Sequence, residues 1–309
     1  MQYVYINESM SSNKRAQAFT TAKIVGIIAI LMLPVVRGVI KLGEPGGTNN
    51  WRPIYYLPLI IGITVIILSV IFLKEPHAYT VLQEDRKNNP EKYKDEKISL
   101  KETYHALKKL ENWPQIKWII RVMIIAVPMA GLNVAHNEVF MAQAGIDAGT
   151  ITALLFISNL SVGLIYIIQG QVTDRIGRRF SYIMNTVLVI ILLPLEFILI
   201  MWVPSLYWLA AMFQGIRIGA IWNITDVNRF LFIENVPTRI RGMSQVVWGF
   251  SIFIMVPLGM IVSLVLIAVV PYVHLVLLIM GIPLMSLSLV FIIKHIKETV
   301  HVDITKIEG

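Results

Sequence analysis

The chain has 309 residues, of which 56% are hydrophobic and only 15% charged, and its mean hydropathy is +0.69. A water-facing domain carries roughly a quarter of its residues as Asp, Glu, Lys or Arg, so a soluble fold is excluded and the length suits one membrane-embedded bundle. The net charge of +8 does not mark a nucleic-acid partner, because Lys and Arg fall in loops between apolar runs and not on a groove lined with aromatics.

With no cysteine, disulfides and thiolate metal sites are excluded. No cofactor or bound metal is expected, and no constellation of residues points to catalysis. The first ten residues are too polar for the apolar core of a signal peptide.

Taken in chain order, apolar stretches run over 16–37, 53–73, 118–138, 150–170, 180–203, 206–233, 243–270 and 272–293. A hydrocarbon core about 30 Å thick needs roughly 20 mainly apolar residues per helix. The stretches lack the alternation of barrel strands, and lipid tolerates no unpaired backbone, so eight spanning helices are predicted. Trp51, Tyr55, Tyr56, Trp118, Trp202, Tyr207, Trp208 and Tyr272 cluster near the predicted ends, as an interfacial belt requires.

Twenty Lys and Arg of the loops and tails fall on one side of this arrangement. Only Arg37, Lys41 and Arg52 fall on the other. The richer side is predicted to be cytoplasmic and to hold both termini, in the plasma membrane. Residues 74–117 mix both signs of charge and read as a solvated loop with an amphipathic helix near 98–111. The chain thus divides into two spans over 1–73, the loop over 74–117, six spans over 118–293 and a tail over 294–309.

An internal repeat relates the two helical groups. Glu8 precedes Arg15, and Glu234 precedes Arg241, by seven residues each, and a long apolar span follows each pair. Parallel repeats of this kind characterise a large class of secondary transporters.

The sharpest motif is Gly170-Gln-Val-Thr-Asp174-Arg175-Ile-Gly177-Arg178-Arg179, between two spans on the basic side. Gly170 allows two helices to approach, and Gly177 a sharp turn. Asp174 can meet an arginine or a helix N-terminus, and Arg178 and Arg179 can meet anionic headgroups. The bland alternative is a turn that is merely positive inside. This stretch, with Glu234-x-x-Pro237-Thr-Arg239-x-Arg241 and Trp51-Arg52-Pro-Ile-Tyr-Tyr-Leu-Pro58, resembles the loop and helix signatures of the major facilitator superfamily.

The resemblance implies an all-α polytopic bundle of the major facilitator fold. It implies secondary active transport of a small polar or anionic solute by alternating access, coupled to a proton or other cation, with a monomer expected among membrane lipids. The loop motifs would then close a cytoplasmic gate. A complete member has twelve helices, so this chain corresponds to helices five to twelve. A truncated, non-transporting product or a transporter-derived sensor is the competing expectation. Efflux is a further alternative, disfavoured because Leu33-Pro34-Val-Val-Arg37-Gly38 lacks two glycines of the family's drug-antiporter run. No phosphate-binding loop for ATP is present.

The resemblance also makes 118–138 and 206–233 the walls of a central cavity. Arg217 lies about 15 Å into its span, near the midplane. Gln214, Arg217, Ile221, Thr225 and Asn228 share a face at 100° per residue. Two readings stand for Arg217: an anion-binding group, or an arginine paired with an acid or with carbonyls of a neighbouring helix. On the other wall Asn133, His136 and Asn137 share a face, with Phe140 a turn on. His136 could carry a coupling proton or be a structural, hydrogen-bonded histidine.

Other charges read as peripheral. Lys23 and Arg121 would snorkel at helix ends, Glu196 would lie about 24 Å into its span near the outer interface, and Asp226 and Arg229 would pair at i, i+3. Glu138 would sit at the water boundary.

Overall fold

The computed structural model describes residues 14–42, 52–72, 100–133 and 136–299, with Gly47, Asn50, Glu84, Lys87 and Asn88. The described residues are helices joined by short turns, with no strand among them. In chain order these are α1 (Arg15–Val39), α2 (Pro53–Phe72), α3 (Leu100–Lys109), α4 (Trp113–Ala126), α5 (Pro128–Leu132) and α6 (His136–Gln143). Then follow α7 (Ala148–Arg175), α8 (Arg178–Trp202), α9 (Tyr207–Glu234), α10 (Thr238–Ile267), α11 (Val273–Val276) and α12 (Ile282–His295). A single π-helical turn, Leu277–Gly281, joins α11 to α12. Most of the loop predicted over 74–117 and the tail beyond residue 299 lie outside the described residues, as does Glu8 of the repeat.

Among the described residues, six helical segments are long and apolar enough to cross a bilayer. They are Ala16–Val39, Trp113–Leu132, Ala148–Arg175, Arg178–Trp202, Ile240–Ile267 and Val273–His295. Two more expected spans fall short of that measure for different reasons. In α2 the apolar run is Leu59–Leu68. In α9 length is ample at 28 residues, but Gln214, Arg217, Asn223, Asp226, Asn228 and Glu234 interrupt its apolar surface.

That interruption explains where α9 sits. These six polar residues are all buried, together with Ala220, Val227, Leu231 and Phe232. A helix carrying so much polar surface cannot face hydrocarbon, so it takes the protected position and α7 and α8 pack against it. Lipid-type surface lies elsewhere, on Ile60, Ile66 and Val70 of α2 and on Phe250, Phe253 and Leu264 of α10, all exposed. Such a surface is what a bilayer covers and water does not.

The expected span over 118–138 is divided. Its helix starts earlier, at Trp113, with Pro114 in the first turn where a missing N–H costs nothing. Pro128 then starts a new short helix, because its ring cannot continue the ladder of the preceding one. Asn133 ends α5, whereas His136 and Asn137 open α6. The shared helical face predicted for these three residues therefore does not exist.

The loop motif forms a tight corner between α7 and α8. Gly177 adopts φ +127°, a left-handed conformation open to glycine, and a Cβ there would sit 2.3 Å from Oε2 of Glu298. Gly170 lets α1 lie against α7, since a Cβ would meet Thr20 Oγ1 at 2.1 Å. At the start of α7, Asp147 accepts from the N–H of Thr150 at 2.9 Å. Hydrogen bonds from Thr150 hold that carboxyl below its ordinary range.

A pair of substitutions tests the α1–α7 contact. Gly170→Leu forces α1 away and is expected to cost about 1–3 kcal/mol. Gly26→Ala meets nothing within 4 Å and is expected to be neutral or to stabilise by up to about 1 kcal/mol. Thermal denaturation in detergent distinguishes the two, and equal melting temperatures would remove the close contact from the description.

Candidate functional site

Two buried clusters of charge tie α8 to α9, one deep in the bundle and one at the end rich in Lys and Arg. The deep cluster starts from Arg217, which is fully buried on α9. A guanidinium in low dielectric demands an acid and further acceptors. Glu196 of α8, also fully buried, supplies the acid. Arg217 Nε donates to Glu196 Oε2 at 2.7 Å and its Nη2 to Oε1 at 3.3 Å. Gln214, one turn before Arg217, donates to Oε1 at 3.0 Å, and Arg217 Nη1 donates to Asn133 Oδ1.

This corrects the peripheral reading of Glu196: it lies toward the outer end of α8, as counted, but faces inward and is fully buried. Depth counted from the start of α8 puts it far along the helix. Counted back from the α8–α9 turn, Glu196 is about 9 Å and Arg217 about 15 Å from that turn. The length of the arginine side chain bridges the difference.

Two histidines extend the cluster. His274 Nδ1 lies 3.8 Å from Glu196 Oε1 and 2.8 Å from Nε2 of His136, and His274 Nε2 lies 2.9 Å from the carbonyl of Leu193. A carbonyl only accepts, so Nε2 of His274 carries a proton. With both rings neutral, Nδ1 of His274 then accepts, Nε2 of His136 donates, and Nδ1 of His136 is left as a lone pair. That Nδ1 is buried and has no hydrogen-bond partner. Phe140 and Phe197 stack against the His274 ring, with centroids 4.5 and 5.7 Å away.

The structure thus joins Asn133, His136, Gln214 and Arg217 of the expected solute site, and adds Glu196 and His274. Asn137 makes no hydrogen bond into the cluster; its Oδ1 is buried without a donor. Thr225 bonds to the carbonyl of Ile221 on its own helix, at 3.3 Å, about 12 Å along α9 from Arg217. His274 was missed because a lone histidine near a predicted span end carries no pattern. Its partners come from two other helices, α6 and α8.

The second cluster is built on the loop motif. Asp174 accepts from the backbone N–H of Ala16 at 3.1 Å and of Gln17 at 2.7 Å, so it caps α1 from the end of α7. An anion at the first turn of a helix meets free N–H groups and the positive end of the dipole. Arg178 is fully buried and bonds to Asp174 Oδ1 at 2.6 Å and to Glu234 Oε1 at 3.2 Å. Burial between two acids rules out the headgroup role expected for Arg178. Arg179 instead donates to the carbonyl of Ile293 at 2.6 Å.

The chain beyond α12 completes this end. Both oxygens of Glu298 accept from the first N–H groups of α8, Arg178 at 2.8 Å and Arg179 at 3.0 Å. Thr299 donates to Glu234 Oε2 at 2.5 Å. Arg241 donates to the carbonyl of Val236 from Nε at 3.3 Å and Nη2 at 3.2 Å. Pro237 precedes α10 in extended geometry, and Arg175 is exposed. The side chain of Arg239 lies outside the described residues.

Two further expectations change. Lys23 does not snorkel: it pairs with Asp226 at 2.5 Å, and Tyr166 donates to the same carboxylate at 3.2 Å. Arg229 donates to Gln245 at 2.7 Å and lies over the Trp248 ring. Arg37, counted as a loop residue, is buried in α1, bonded to Glu138 and to Thr152 Oγ1 at 3.0 Å.

Long apolar helices packed on one helix rich in buried charge make a polytopic membrane protein, and the family it matches makes it a transporter of a small-molecule solute. The chain belongs to the Major Facilitator Superfamily, and the model of that family matches residues 1–227. A search of curated proteins finds no match.

The deep pair yields a prediction. Glu196→Gln leaves Arg217 as a buried unpaired charge and is expected to cost about 3–5 kcal/mol. The double variant Glu196→Gln/Arg217→Met removes both charges and is expected to recover most of that loss. A double variant no more stable than the single one would show that the two residues do not interact.

Proposed function

We propose that the chain is a proton-coupled secondary transporter that takes up a small polar or anionic solute by alternating access. In this reading the Lys/Arg-rich end and both termini lie in the cytoplasm of a plasma-membrane protein. The observation that carries it is the fully buried Arg217–Glu196 pair with His274 at 3.8 Å and His136 behind it.

The chemistry runs through competition for one carboxylate. With both histidines neutral, Glu196 satisfies Arg217 and the site has no net charge to offer an anion. A proton entering at the free Nδ1 of His136 can pass along the bond to His274, whose ring then becomes a cation beside Glu196. Glu196 now has two cations to serve, and Arg217 is partly released. An anionic solute can take the vacated side of the guanidinium in bidentate fashion. Proton and anion therefore bind together, which is the linkage a symporter needs.

At the other end, the Asp174 cap on α1 links the first helical group to the second. Separation of α1 from α7 there would open the cytoplasmic side, at the loss of two charge-assisted bonds of about 1.5–3 kcal/mol each. In this reading Gly170, Asp174, Arg178 and Glu234 form the closed gate, with Arg175, Gly177, Arg179, Pro237, Arg239 and Arg241 shaping its loops.

Thermal shifts with small organic anions test the coupling, since a ligand stabilises the state that it binds. Anion affinity is expected to rise as the pH is lowered from neutrality, because a proton on His274 draws Glu196 away from Arg217. His274→Gln is expected to flatten that dependence. Affinity independent of pH in the parent chain, or an unchanged slope in His274→Gln, would dismiss proton coupling through this cluster.

A further inference from the structure

The proposal above leaves a second group of cations unused. It lies where α4 and α12 run side by side at the Lys/Arg-rich end. The rings of Trp118 on α4 and His295 on α12 are stacked, with centroids 3.8 Å apart and planes 2° from parallel. Phe291 lies 5.1 Å from the same indole. Arg121, one turn deeper in α4, holds its guanidinium 4.6 Å from the Trp118 ring.

Arg121 belongs to the membrane-crossing segment Trp113–Leu132, yet it is exposed. So are Lys117, one turn before it, and Lys294 beside His295. Among the described residues none of these three cations meets a carboxylate. This contrasts with three buried arginines of the bundle, Arg37, Arg178 and Arg217, each of which meets an acid.

An unpaired guanidinium on the hydrocarbon-facing side of a spanning helix is costly unless something outside the protein neutralises it. The membrane offers one such counter-ion at that depth, the phosphate of a phospholipid. The surroundings fit it. Arg121 presents a planar fork suited to two phosphate oxygens, and Lys117 and Lys294 add point charges. Trp118 is the amphipathic ring that settles at headgroup level. Basic pockets between spanning helices are where anionic headgroups bind.

We infer that Arg121, Lys117, Trp118 and Lys294 form a headgroup site for one anionic phospholipid in the crevice between α4 and α12. His295 acts by fixing the indole, not by charge.

The full chain in neutral detergent tests this with phosphatidylglycerol as the probe and phosphatidylcholine as reference. Phosphatidylglycerol is expected to raise the melting temperature by about 3 °C or more over phosphatidylcholine. Arg121→Gln and Trp118→Ala are each expected to lose at least half of that rise. Lys101→Gln, an exposed cation on α3, is expected to keep it. Native mass spectrometry should count one bound phosphatidylglycerol fewer in Arg121→Gln than in the parent chain, which serves if the variant melts early for other reasons. Full retention of both the shift and the lipid by Arg121→Gln would overturn the site. So would an equal shift from inorganic phosphate alone, which would assign the charge cluster to a soluble anion.

Discussion

An arginine buried in a bundle that sits in hydrocarbon has to find an acid, and in this chain two such arginines organise one helix pair. Arg178 opens α8 and meets Glu234 at the end of α9, while Arg217 of α9 meets Glu196 of α8. The two pairs exchange roles, each helix giving one base and one acid. They share a single antiparallel register and lie roughly 26 Å apart along the helices. Slippage of α8 against α9 by one residue would strand four buried charges. The ion pairs therefore fix register, much as a buried polar residue fixes the register of a coiled coil. Hydrophobic packing alone, being tolerant of such slips, would not do so.

The two ends of this brace differ in what else they hold. At the Lys/Arg-rich end the acids also cap helices: Asp174 serves α1, and Glu298, from the segment after α12, serves α8. These bonds cross between segments that are remote in sequence, so they report the relative placing of whole helices. At the deep end the acid faces titratable rings and amides instead. A change of protonation there alters which base Glu196 serves without breaking the helices' own hydrogen bonds. One end is thus suited to registering position and the other to registering a proton.

How far the sequence reveals this depends on whether the partner is local. The spans were legible because apolar length is a property of the segment itself, and boundaries such as 180–203 against Arg178–Trp202 differ by a residue or two. The loop motif was legible for the same reason: Gly170, Asp174 and Gly177 lie close together in sequence, and their roles at a close contact, a cap and a corner follow from residue type. Arg217 stood out as a charge in an apolar helix. Its partner did not, because Glu196 lies on a different helix and depth along α8 says nothing about which side it faces. Lys23 was hidden in the same way, because its bond to Asp226 runs between helices and its own helix gives no sign of it. Pro128 was visible in the sequence, but its division of the span decides which of Asn133, His136 and Asn137 can meet Arg217, and only the fold shows that.

The unmatched atoms of the deep cluster carry the argument one step further. Two of its buried acceptors have no donor, Nδ1 of His136 and Oε1 of Gln214, and neither has Oδ1 of Asn137, the residue next to His136. Every strong donor of Arg217 that bonds in the cluster is already directed at Glu196 or Asn133. In this state the site is rich in acceptors and poor in free donors, so its unmet need is for protons or for a solute bearing hydroxyl or amine hydrogens. A bare anion brings only acceptors and would add to the mismatch. Anion binding therefore requires a proton to arrive first or together with the solute, whereas a polyol or amine would not need one. If this cluster binds the solute as proposed, the balance of donors and acceptors ties the class of solute to the protonation of two histidines, and the pH dependence of binding separates the two classes.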